Sequence, residues 1–266
     1  MKTILLLVHD DEGQEARLQA ALDLTRDVAG HLACLDVTLP PVYGGNRYGG
    51  LGASIMLADE TEKERINRAE IRARLAQEDV AWSWADAVGD VARAVVEAAT
   101  LADIIVLNPT LSDHGDPDMR NIVGSVLIDT GKPILAVPVA ARGFRAGGRA
   151  LIAWDGRQSA ASTMRACVPL LALSSAVHIV TVGKAIRGTA AADAAVYLSR
   201  HNIHASARVL EDNGGGAEAV IEEEARLWRA DYIVMGAYGH GRLRETFGGV
   251  TKRMLTHSVL PLILGH

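Results

Sequence analysis

Apolar runs that do not alternate with polar residues recur along this chain, each separated from the next by a stretch of helical periodicity. Thr3-Ile4-Leu5-Leu6-Leu7-Val8 opens the series, a helix-patterned segment follows from Gln14 to Ala29, and a second apolar run covers His31 to Val37. Val91 to Ala99 has amphipathic spacing and leads into Asp103-Ile104-Ile105-Val106-Leu107. Gly124-Ser125-Val126 then reads as the opening of a short helix before Pro133-Ile134-Leu135-Ala136-Val137. Strands rich in Val, Ile and Leu throughout are buried on both faces, and helices placed between them cover a parallel sheet.

The same order then begins again. Ala150-Leu151-Ile152-Ala153-Trp154-Asp155 repeats the first strand, Ser159 to Leu173 the first helix and Val177 to Val182 the second strand. Ala217 to Leu227 leads into Asp231-Tyr232-Ile233-Val234-Met235, and Gly249-Val250-Thr251 opens a helix before Pro261-Leu262-Ile263-Leu264. Internal repetition on this scale predicts two tandem doubly wound α/β units, Rossmann-like, over residues 1–140 and 149–266. The seam, Ala140 to Arg149, has no periodicity and is rich in glycine, so it reads as a linker. Asp59 to Glu78 is charged on most faces and predicts a solvated helix. The glycine-dense segment Tyr43 to Gly52 predicts a surface loop.

Composition narrows the function classes. Net charge is −5 across 266 residues with 49% hydrophobic and 22% charged positions, which argues against a nucleic-acid-coating protein or a polybasic membrane binder. The apolar start, Ile4 to Val8, is too short for a signal peptide or a membrane span, so a cytoplasmic location is expected. Cys34 and Cys167 sit in apolar settings and read as small buried hydrophobes rather than a disulfide. His201 and His204 have metal-like spacing but no third ligand beside them, and no metal site is expected.

The richest chemistry lies at Ile233-Val234-Met235-Gly236-Ala237-Tyr238-Gly239, followed by Gly248-Gly249-Val250-Thr251. A strand that ends in glycines lets bare N–H groups approach an anion, and a helix opening nearby adds unpartnered N–H groups and a positive dipole end. Gly236-x-x-Gly239 with Gly248-Gly249-Val250-Thr251 resembles the ATP-binding signature of the universal stress protein family, and the likeness of plan extends over essentially the whole chain. Eight residues, His240 to Phe247, stand between Gly239 and Gly248, and Thr251 is the nearest hydroxyl after Gly249.

The resemblance implies the adenine-nucleotide alpha-hydrolase-like fold class, with the two halves packed as an internal pseudo-dimer through the last strand of each. It also implies an adenine nucleotide, ATP with Mg2+ as an allowed companion, in the second half. Asp155 would meet the ribose, and Ala153 and Val182 would frame the adenine. Met235 and Tyr238 would line the mouth, while Gly236, Gly239, Gly248, Gly249, Val250 and Thr251 would surround the phosphates. Asp155-Gly156 also reads as a plain turn, and for Arg242, Arg244, Lys252 and Arg253 a phosphate role and a solvated surface role both stay open.

In the first half Asn108-Pro109 replaces the loop glycines, and Asp113, Asp116 and Asp118 would repel an anion, so that site is expected to have lost nucleotide binding or to bind something else. Walker, pyrophosphatase and nucleophile–base motifs are absent from the sequence. The expectation is therefore a stress-response protein that acts by binding, with no catalytic residues, although slow ATP hydrolysis needs little beyond a bound triphosphate and a cation. Protein partners and a further homodimer are open. The alternative is a nucleotide-independent interaction module with decayed sites. A third reading, an adenylyl-transferring enzyme or electron-transfer flavoprotein relative, would need elements that this sequence does not display.

Overall fold

The computed structural model describes all residues except 39–50, 110–118, 184–188, 213 and 238–248, with backbone alone for 51–61, 120 and 121. Its first half runs β1 (Thr3–Val8), α1 (Gln14–Asp27), β2 (His31–Thr38), α2 (Leu51–Leu75), β3 (Ala81–Val88), α3 (Val91–Ala98), β4 (Ile104–Leu107), α4 (Met119–Thr130) and β5 (Ile134–Ala136). The second half runs β6 (Arg149–Ala153), α5 (Gln158–Ala166), α6 (Val168–Leu171), β7 (Ala176–Val182), α7 (Ala191–Ser199), β8 (Ala205–Leu210), α8 (Ala217–Trp228), β9 (Tyr232–Gly236), α9 (Gly249–His257) and β10 (Leu262–Gly265).

All ten strands form one sheet in the order β3-β2-β1-β4-β5-β10-β9-β6-β7-β8. Pairing is parallel within each half, and the halves meet where β5 and β10 run antiparallel, with Ala136 opposite Leu262 and Ile134 opposite Leu264. These are the two strands expected to join. Successive residues of a strand point to opposite faces, so Ile4, Leu6 and Val8 belong to the core on the sheet face that α1, α5 and α7 cover, whereas Leu5 and Leu7 belong to the core on the face that α3, α4, α8 and α9 cover. Burial on both faces is the physical reason that these strands read as unbroken apolar runs.

Several local expectations need correction. Gly124-Ser125-Val126 does not open a helix: α4 begins at Met119 and passes straight through them, so the first half keeps no helix opening at that point. α2 starts at Leu51 and ends at Leu75, which places Leu51 and Gly52 in a helix, while Tyr43 to Gly50 lie outside the described residues. That helix is not wholly solvated, since Ile71 and Leu75 are buried. β3 gives no strand signal in the sequence because Ala81-Trp82-Ser83-Trp84-Ala85-Asp86 lacks an apolar run; it is an edge strand with little of its surface buried.

The segment between β5 and β6 contacts elements of both halves. Phe144 N–H donates to Asp23 Oδ2 at 3.1 Å and Ala146 N–H to Asp27 Oδ2 at 2.9 Å, both on α1. The Phe144 ring then packs on Tyr232 of β9 with centroids 5.1 Å apart. Among the described residues, no helix is long and apolar enough to cross a membrane.

Candidate functional site

In a doubly wound sheet the chain leaves neighbouring strands in opposite directions at the switch point, and a crevice opens there beyond their carboxyl ends. In the second half that point falls between β6 and β9. A cavity of about 310 Å³ occupies it. Ala153 at the end of β6, Val182 at the end of β7, Met235 and Gly236 at the end of β9, and Gly249, Val250 and Thr251 at the start of α9 all line it, together with Asp155. Tyr238, Gly239 and Gly248, with His240, Arg242 and Arg244, lie outside the described residues.

Each lining residue has a local cause. Trp154 N–H donates to Val180 O at 2.8 Å, which extends the β6–β7 ladder by one residue, and its indole Nε1 donates to Thr189 O at 2.8 Å. Gly156, at φ +78, then turns the chain into α5. Asp155 Oδ1 accepts the Arg157 N–H at 3.0 Å, the Asx-type contact of a plain turn, and Arg157 Nε lies 3.7 Å from Oδ2. The turn reading of Asp155 is therefore realised. Its side chain nevertheless remains 54% exposed at the cavity, with acceptor capacity to spare.

Gly236 is required by packing. A Cβ there would come within 2.7 Å of the Ser159 carbonyl carbon and 2.8 Å of Ala160 Cα, so β9 and the first turn of α5 approach more closely than any side chain permits. Gly249 is different, because a Cβ on it would meet only the tip of Arg253, at 3.4 Å.

Sequence reasoning missed Trp154, Arg157, Val180, Ala217 and Ile221. Val180 stands two residues before Val182 on the same strand face, a period-2 signal that was available. Ala217 and Ile221 come from α8, whose neighbour across the crevice no local pattern reveals. Arg253 also lines the cavity, its guanidinium paired with Glu218, whereas Lys252 is exposed beside it. A second cavity, of about 490 Å³, lies near the other end of α8 among Glu222, Arg226, Arg229, Ile233 and Leu260, and none of the expected site residues reaches it.

At the equivalent point of the first half, between β1 and β4, a buried arginine and an asparagine meet among the described residues. Arg17 is 0% exposed: its Nε donates to Leu7 O at 2.7 Å, and its Nη2 donates to His9 O at 3.0 Å and pairs with Asp11 Oδ2 at 2.9 Å. Arg17 also donates to Asn108 Oδ1, and Asn108 Nδ2 donates to Val137 O at 2.7 Å. The loop acids Asp113, Asp116 and Asp118 lie outside the described residues. Among the described residues, no group of three His, Cys, Asp or Glu is placed to hold a metal ion, and the His201 ring packs on Tyr197 with centroids 4.9 Å apart.

No protein-family profile and no curated protein matches the sequence. Solved structures do match in shape. A universal stress protein from Archaeoglobus fulgidus DSM 4304 superposes with a TM-score of 0.72 at 16% identity, covering 99% of this chain and 97% of that one. A functionally unknown protein from Pseudomonas aeruginosa PAO1 superposes with a TM-score of 0.58 at 17% identity, covering 99% and 92%. With its two parallel halves joined through β5 and β10, the chain has, end to end, the fold of that Archaeoglobus universal stress protein.

Proposed function

We propose that this chain is a cytoplasmic universal stress protein that binds an adenine nucleotide, ATP, in the crevice of its second half, and that it acts by binding rather than turnover. The observation that carries this reading is the convergence of Ala153, Asp155, Val182, Met235, Gly236, Gly249, Val250 and Thr251, far apart in sequence, on one cavity. Val180, Val182 and Ile221 offer an apolar wall for a purine, and Asp155 offers a carboxylate to two ribose hydroxyls. The start of α9 supplies N–H groups that lack intrahelical acceptors, where phosphates would sit. Among the described lining residues, Asp155 is the only acid and has no nucleophile or base beside it, which favours binding over chemistry. Mg2+, if it accompanies the triphosphate, would be held largely by phosphate oxygens. The packed Arg17–Asn108 cluster supports one site per chain.

The test is to denature natively purified protein, identify the released small molecules by mass spectrometry, and titrate ligand-stripped protein with ATP in a calorimeter. About one adenine nucleotide per chain is expected. Two per chain would overturn the reading of the first half, and none, with no binding at millimolar ATP, would turn the assignment toward a nucleotide-independent interaction module. Asp155→Ala is expected to weaken ATP by about 1–3 kcal/mol while leaving the affinity for free adenine unchanged.

A further inference from the structure

The rim of the cavity carries an ion pair between Arg253 and Glu218. Arg253 stands one helical turn into α9, and its guanidinium folds back over Gly249, with Nη1 and Nη2 both 3.4 Å from where a Cβ on that glycine would be. It is held there by Glu218 in the first turn of α8: Nη2 donates to Oε2 at 2.9 Å, and Nε pairs with Oε1. The glutamate side chain is 14% exposed and the arginine side chain 51% exposed. The acid is thus tucked in and the cation faces outward, at the helix start where an anion would dock. Ala217 and Ile221, on either side of Glu218 in α8, line the same cavity.

We infer that Arg253 and Glu218 form a latch that makes this site select nucleotides by their phosphates. The inference rests on the proposed nucleotide reading and deepens it. In the ligand-free protein Glu218 is the anion that satisfies Arg253. A phosphate chain on α9 places a multiply charged anion within reach of the same guanidinium, whose planar fork suits phosphate as well as carboxylate. The phosphate takes over part of that fork, and Glu218, now facing a like charge, is driven away. Adenosine engages neither partner, so Arg253 contributes only to phosphorylated ligands.

The experiment is calorimetric titration of ATP and of adenosine into the full chain and its Arg253→Gln, Arg253→Lys and Glu218→Gln variants, with melting curves to confirm folding. Arg253→Gln is expected to lose about tenfold or more in ATP affinity and to keep its adenosine affinity within about twofold. Arg253→Lys, with charge but no fork, is expected to fall between. Glu218→Gln is expected to gain about threefold or more for ATP and nothing for adenosine, because the competing charge is gone. Equal losses for ATP and adenosine in Arg253→Gln would overturn the latch, as would unchanged ATP affinity there, or weaker ATP binding by Glu218→Gln. If the unaltered protein bound neither ligand, the nucleotide reading would fall and the latch with it.

Discussion

Gly236→Ala is the sharpest test of the claim that β9 and α5 meet backbone to backbone beside the cavity. The added methyl would lie 2.7 Å from the Ser159 carbonyl carbon and 2.8 Å from Ala160 Cα, with Ala160 N closer still. All three are backbone atoms of the first helical turn, so no flexible side-chain end can yield. Either α5 or the end of β9 must move, and overpacking of this kind costs about 1–3 kcal/mol. At about 2–4 °C per kcal/mol for chains approaching this size, the melting temperature should fall by about 2–12 °C. Gly249→Ala is the control, since its methyl meets only the Arg253 tip at 3.4 Å and the change should stay within about 0.5 kcal/mol. Thermal denaturation followed by circular dichroism reads both variants. A Gly236→Ala protein that melts with the parent, or two variants that fall equally, would refute the packing argument. Because α5 is preceded by the Asp155–Arg157 turn, the same shift should also weaken any ligand held there.

Other outcomes follow from buried groups away from the site. Glu224 of α8 accepts from Arg208 Nη1 at 3.2 Å and lies 3.2 Å from His178 Nε2, while His178 Nδ1 meets Ser206 Oγ at 2.7 Å. Glu224→Ala strips His178 of that partner under α8 and should lower stability by about 1–3 kcal/mol in urea titration; an unmoved midpoint would mean that the cluster is not stabilising. Burial pushes the Cys34 and Cys167 thiols up to about 12 from an ordinary 9.0, and burial also raises the Tyr232 phenol. The native state therefore keeps protons that the unfolded chain sheds, so this stability is complete below about pH 9 and declines as pH rises toward about 12. Urea midpoints at stepped alkaline pH should fall, and a Cys34→Ala/Cys167→Ala protein should show a shallower fall; identical slopes would deny the thiols that role.

Much of this molecule could be read without coordinates. The Val, Ile and Leu runs from Thr3 to Val8 and from Asp231 to Met235 announce strands buried on both faces, and the helical stretches between them require parallel crossovers. Because strand ends follow from where apolar runs stop, Asp155, Val182, Met235 and Gly236 could be placed at one end of a sheet from local pattern alone. The exposed edge strand β3 was not legible, since a strand with little burial leaves little hydrophobic signal. Nor was the passage of α4 through Gly124-Ser125, because helix starts depend on flanking contacts as well as on local residues.

What the sequence by itself determined is the repeated βα order, the burial of its strands and the likeness of one glycine-rich loop to a phosphate site. What only the tertiary structure decided is which distant groups meet. β5 lies antiparallel to β10, and Arg17 reaches Asn108 between β1 and β4. Gly236 answers to the backbone of α5, and Arg253 meets Glu218 across 35 residues of chain. The physical reason is that periodicity records how much water each position will lose, a property of one residue and its element. The partner a charge or a glycine finds is set by how separate elements cross, and no local pattern carries that information.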